Sequence, residues 1–136
     1  MSNIVAIKNA DKTVSLVGKQ GSTWELFLFL HVPPDNMPMN LTGFTFAGQI
    51  RANYTAQEKT DFQCSIVNAL EGKMSVFASA ATTAAINAYK ESIDIRKLNT
   101  CKGTGVYVYD IEMTDTVGKV SRIVEGLLYV DPEATK

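Results

Sequence analysis

From Val106 to Met113 the side chains alternate at period two, Val with Tyr at first and then acid with apolar residue, the period of a strand with one face buried. Tyr107, Tyr109, Ile111 and Met113 share one face, and Asp110 and Glu112 the other. Asp115-Thr116-Val117-Gly118 follows as a turn, in which Asp can bond its own backbone and Gly accepts a positive φ. The return arm, Val120 to Val130, is rich in β-branched and aromatic residues. Its interior Gly126 marks either a bulge or the close approach of another backbone. The stretch predicts a long hairpin around which the rest of the chain is organised.

The same alternation recurs upstream in shorter pieces. Residues 1–12 are weakly periodic and break at Asn9 to Lys12, so an N-terminal arm ordered by a neighbour is expected there. Thr13 to Val17 reads as a short strand. Ser22 to His31 reads as a longer one, with Trp24, Leu26, Leu28 and Leu30 on one face and Thr23, Glu25, Phe27 and Phe29 on the other. Phe27 and Phe29 either lie under a loop or helix or form a patch that another subunit covers. Val32 to Asn40 reads as a loop, because three prolines in six residues remove donors that a sheet needs, and Pro33-Pro34 is expected to be extended and stiff. Phe44 to Asn53 turns Phe44, Phe46, Gly48, Ile50 and Ala52 inward. Phe62, Cys64 and Ile66 share a face of the next strand, and Lys73 to Ala78 forms a hairpin with it across Leu70-Glu71-Gly72.

One stretch has helical character. Ala80 to Tyr89 is alanine-rich, with Ala85, Ile86 and Tyr89 spaced to face the sheet, and it is too short to stand without packing. Glu91 to Gly103 is open to three readings, as an extension of that helix, a short strand or a loop, and it is long for a connection inside a compact domain. Pro132 ends the last strand and leaves residues 132–136 as a tail. The elements add up to one all-β domain over residues 13–131, an immunoglobulin-like antiparallel β-sandwich of about seven strands with one short helix over about residues 80–90. The immunoglobulin order of Cys, Trp and Cys is absent, since Trp24 precedes both Cys64 and Cys101, so that likeness is one of architecture.

Composition narrows the function classes. A chain of 136 residues buries a core without metal or disulfide support. A net charge of −1 offers no basic footprint, so no nucleic-acid partner is expected. The N-terminus lacks a signal-peptide pattern, and no apolar run approaches the roughly 20 residues of a membrane span, so a soluble product made in a cytoplasm is expected. Cys64 and Cys101 are open to a disulfide or to two free thiols, and in such a reducing compartment two free thiols are the preferred expectation.

No constellation of catalytic residues emerges. His31 is the sole histidine and has no metal-ligand spacing around it, no nucleophile elbow exists to use it as a base, and Gly103-Thr104-Gly105 precedes a strand instead of a helix and so makes no phosphate loop. Asp110, Glu112, Asp115 and Glu125 read as a solvated surface. Strand parity sets Arg122 and Glu125 on opposite faces, leaving Arg122 to answer Asp110 or Glu112 across the hairpin. Tyr107 and Tyr109 read as core, and Tyr107 is placed to make the backbone hydrogen bond of a tyrosine corner. The expectation is therefore no enzyme, no cofactor and no metal.

Five motifs in order carry a resemblance. They are Gln20-Gly21-Ser22-Thr23-Trp24, Asn40 to Arg51 (NLTGFTFAGQIR), Gly105 to Asp115 (GVYVYDIEMTD), Arg122 to Gly126 (RIVEG) and Val130-Asp131-Pro132. Over roughly residues 18–132 the chain resembles small virion proteins of tailed bacteriophages. These include the immunoglobulin-like domain near the N-terminus of baseplate upper proteins and short structural proteins of myoviruses that infect cyanobacteria. The resemblance implies a non-enzymatic building block of the particle, located in the virion and present in many copies or as a homo-oligomer. Its partners would be other virion structural proteins, in tail, baseplate or neck in preference to capsid decoration or a head-fibre base. Two segments look longer than the family pattern, Pro33 to Pro38 and Glu91 to Gly103, and are expected as contact elements. The expected partner interface is Phe27, Phe29, Pro33, Pro34, Met37, Met39, Ile93, Ile95 and Leu98. A different class also fits, a carbohydrate-binding module of a host-adhesion device that presents Tyr54, Tyr89 or Tyr129.

Overall fold

The computed structural model describes residues 3–132, so the expected tail beyond Pro132 and the first two residues of the expected arm lie outside the described residues. The strands are β1 (Ile4–Lys8), β2 (Val14–Lys19), β3 (Trp24–Phe29), β4 (His31–Val32), β5 (Met37–Pro38), β6 (Thr45–Arg51), β7 (Thr60–Asn68), β8 (Lys73–Ala78), β9 (Val106–Thr114) and β10 (Val120–Asp131). Between β8 and β9 lie a short helix, α1 (Ala80–Ala84), and a 3-10 segment, Ile95–Thr100. The protein is all-β, as its alternation requires. Eight strands run in the order β1-β2-β10-β9-β6-β7-β8-β3, and β4 and β5 form a separate hairpin.

The eight strands fold over one core because β7 serves both halves. Its first residues, Thr60 to Phe62, pair with β6, and Gln63 to Asn68 pair with β8. Trp24, Met74 and Val76 from the β3-β8 half thereby meet Leu16, Ile50, Tyr109, Ile111 and Leu128 from the other half, and all are buried. Trp24 donates its indole N–H to the Lys19 carbonyl at 2.8 Å, so the ring's one polar group is satisfied inside the core. Phe62 meets Tyr109 edge-on, with ring centroids 6.5 Å apart.

Four features depart from the expectations. The segment expected to be an arm is a strand: β1 pairs antiparallel with β2 over its whole length and Ile4 is buried, so backbone pairing with β2 orders a segment whose own periodicity is weak. One pair, β2 with β10, runs parallel, so the sheet is mixed. The helix ends at Ala84 instead of continuing toward residue 90. Tertiary hydrogen bonds take the backbone beyond it, with Ile86 O accepting from Gln20 Nε2 and the Tyr89 N–H donating to Val130 O. Ile86 and Tyr89 are still buried, from an irregular segment. The proline loop is also a hairpin, since His31 pairs with Pro38 and Val32 with Met37, a ladder short enough to tolerate the donor that Pro38 lacks.

The hairpin of β9 and β10 sits at the centre of the sheet, flanked by β6 and β2. Asp115 closes its turn by accepting the Val117 and Lys119 N–H groups on its side chain. Gly126 is the point of close approach: a methyl group there would stand 2.2 Å from the Val14 carbonyl oxygen. The bulge lies elsewhere, at Ile123, between the pairs Arg122 with Glu112 and Val124 with Ile111.

Candidate partner interface

β3 is the last strand of the sheet, and among the described residues β8 alone pairs with it. Its even residues face the core, with Trp24 opposite Ala78, Leu26 opposite Val76 and Leu28 opposite Met74, and those three partners are buried. Its odd residues therefore point outward in rows that continue across the half-sheet. Glu25 lines up with Phe77 and Gln63, Phe27 with Ser75 and Ser65, and Phe29 with Lys73 and Asn68. Phe27 is 47% and Phe29 53% exposed, so of the two readings of these rings the surface patch holds. Val67, at a bulge of β7, is exposed as well, and Phe77 is half-buried.

A cation crowns the patch. Lys73 Nζ lies 4.7 Å from the Phe27 ring centroid and 5.5 Å from that of Phe29. Among the described residues neither Lys73 nor Glu25 takes part in an ion pair. Phe77 and Lys73 belong to the site without having been expected in it. The signal was their shared parity along Lys73, Ser75 and Phe77, which follows once β8 is registered on β3.

The other expected interface residues separate. Pro33, Pro34 and Met37 are exposed on the β4-β5 hairpin, which follows the patch in the chain. Met39 is half-buried against the core, and its N–H donates to Leu30 O, so it is a packing residue and not a contact element. Of the 91–103 segment, Ile95 is exposed and Ile93 and Leu98 are half-buried. Of the three readings of this segment, the structure is a loop with a 3-10 turn capped by Asp94, which accepts the Arg96 N–H. Asp131 holds it to the body by accepting the Ile93 N–H at 3.0 Å.

Two hollows lie away from the patch. A broad cleft of about 1070 Å³ runs between the end of β6, the residues after α1 and the Cys101 to Gly105 loop. A smaller one of about 290 Å³ is lined by Gln49, Arg51, Tyr54, Asp110, Glu112 and Arg122 among others. Arg122 contacts both Asp110 (3.3 Å) and Glu125 (3.2 Å), so the expectation that Arg122 and Glu125 lie on opposite faces fails, because the bulge at Ile123 shifts the parity. Of the tyrosines considered for sugar stacking, Tyr54 is 64% exposed, whereas Tyr89 and Tyr129 are buried. Tyr107 donates its hydroxyl to Asn87 O and Tyr109 to Val14 O, each a bond to backbone. Burial of the Tyr109 phenol, aided by the nearby Glu125 carboxylate, raises its pKa well above the ordinary range.

Cys64 and Cys101 are free thiols. Burial pushes the Cys64 thiol up to about 11. His31 is exposed at the start of β4, and among the described residues no three His, Cys, Asp or Glu side chains gather in a way that would hold a metal ion. No protein-family model and no curated protein matches this sequence.

Proposed function

We propose that this protein is a non-enzymatic structural component of a tailed-phage virion, an immunoglobulin-like module that joins neighbouring virion proteins by burying its outer β3 face and hairpin loops. The observation that carries the reading is the pair Phe27 and Phe29, half-exposed side by side on a strand with which, among the described residues, β8 alone pairs. Fully burying an exposed phenylalanine is worth roughly 1.5–3 kcal/mol, so covering these half-exposed rings in a contact is worth about half of that each, an incentive a monomer leaves unused. The five sequence motifs support assignment to the virion. The likeness to the baseplate domain favours tail, baseplate or neck over capsid decoration. Mass spectrometry of intact particles of the parent phage tests this, with the protein expected in multiple copies. Phe27→Ala/Phe29→Ala is expected to leave a folded chain that no longer joins particles, and absence of the wild-type protein from particles overturns the reading.

A second reading, a carbohydrate-binding module, rests on Tyr54, whose exposed ring borders the small polar hollow containing Gln49 and Arg51. Glycan-array binding that is lost in Tyr54→Ala would favour it. Silence across a host-derived panel would remove it.

A further inference from the structure

The free edge of β3 has the chemistry of a surface that pairs with itself. The Leu30 N–H donates to Gly72 O, continuing the β3-β8 register, so the even residues of β3 direct their backbone groups to β8. In an antiparallel ladder the alternate residues direct theirs the other way, so the N–H and C=O of Glu25, Phe27 and Phe29 face the open side. Trp24 to Phe29 contains no proline and no inward charge and pairs with β8 without a bulge, so of the usual protections of an edge strand it carries the outward charge of Glu25 alone, while Asn3 Nδ2 covers the backbone just before it by donating to Thr23 O. Both of its faces carry apolar side chains that are incompletely covered, Leu26 and Leu28 inside and Phe27 and Phe29 outside.

We infer that two copies of this chain join through antiparallel pairing of β3 with β3 about a two-fold axis at Phe27. This inference deepens the reading of the face as a contact surface by naming its occupant. In that register Phe27 opposes its own copy, and Glu25 opposes Phe29 of the second copy in both directions, so the N–H and C=O groups of all three outward residues find partners. No other register uses all three. Leu26 opposes Leu28 on the inner face and extends the core across the seam. On the outer face each Glu25 enters the row that already holds Phe29 and Lys73. Lys73 lies over the rings of Phe27 and Phe29, and the incoming carboxylate reaches that row from the far side of Phe29. The two charges, which find no ion-pair partner among the described residues, thus complement each other across the axis, twice per dimer.

Sedimentation equilibrium of the full-length protein tests the pairing. A dimer is expected, with Glu25→Lys or Lys73→Glu each weakening it about tenfold by setting like charges in one row, and the double reversal restoring it. Phe27→Pro is expected to give a monomer with the circular dichroism of the wild type, since the donor it removes does not serve β8. A wild-type monomer at every concentration, or a dimer indifferent to Glu25→Lys, overturns the inference, as does failure of the double reversal to recover. A monomeric protein that still enters particles would remove the self-pairing and leave the virion reading in place, while a dimer absent from particles would do the reverse.

Discussion

Arg122 contacts Glu125 at 3.2 Å although an odd number of positions separates them along one strand, and the cause is the bulge at Ile123. The extra residue resets the parity, so Arg122 stands opposite Glu112 and Glu125 opposite Asp110, all on one face. Arg122 thereby ties the two arms of the hairpin through Asp110 as well as through Glu125. With 46% of its side chain exposed, solvent screens most of that attraction. Arg122→Ala is expected to lower unfolding stability by less than about 1 kcal/mol in urea titrations, and by less still at high salt. A larger loss that salt leaves unchanged would show the cluster to be dry.

Gly126 predicts a far larger effect. The carbonyl that a methyl group would strike belongs to Val14, in β2, so the obstacle is backbone and cannot turn aside. Gly126→Ala is expected to destabilise by at least about 2 kcal/mol, through separation of β10 from β2. Chemical denaturation would reveal it, and a neutral result would mean that the seam opens freely.

The same carbonyl accepts the Tyr109 hydroxyl at 2.6 Å. Tyr109→Phe leaves the ring packed and removes one donor from a buried acceptor, an expected cost of about 1–2 kcal/mol. Equality with wild type in the same titration would show that the Val14 carbonyl finds another donor.

Much of this was legible from alternation alone. The period of two identified the central hairpin and the inward faces of β3 and β6, and it placed Phe27 and Phe29 opposite the Trp24 face. Features that depend on distant partners were not legible. Nothing local distinguishes the β1 segment from a loose arm, because its order comes from pairing with β2. The bulge sits at Ile123 and not at the glycine, so composition pointed to the wrong residue, although Gly126 did mark a close backbone approach. The chain after α1 leaves the helical path for hydrogen bonds to Gln20 and Val130, both far away in sequence. Lys73 joins the patch only through the register of β8 on β3, and Met39 left the expected interface because it packs on the core.

The two faces of the β3-β7-β8 half-sheet separate stability from contact. Phe62 is 6% exposed and packs on Tyr109, so Phe62→Ala is expected to cost about 3–5 kcal/mol. Phe27→Ala, which removes a half-exposed ring and one cation–π contact, is expected to cost about 1 kcal/mol or less. Thermal or urea unfolding of the two variants side by side checks this, and comparable losses would mean that Phe27 is core and unsuited to meet a partner.

Alkaline pH probes the interior through Cys64. In the unfolded chain the thiol ionises near 9.0, and in the folded protein burial holds it protonated up to about 11. Deprotonation therefore favours the unfolded state. The stability this thiol supplies is fully present below pH 9.0 and is lost as pH rises through about 11. Tyr109, raised for the same reason of burial, acts in the same direction at higher pH. Cys64→Ala should flatten the fall of unfolding stability between pH 9 and 11 relative to wild type, while Tyr109→Phe should flatten the steeper part above it. Parallel pH profiles for wild type and Cys64→Ala would mean that the thiol is open to solvent and that the β7 edge of the core breathes.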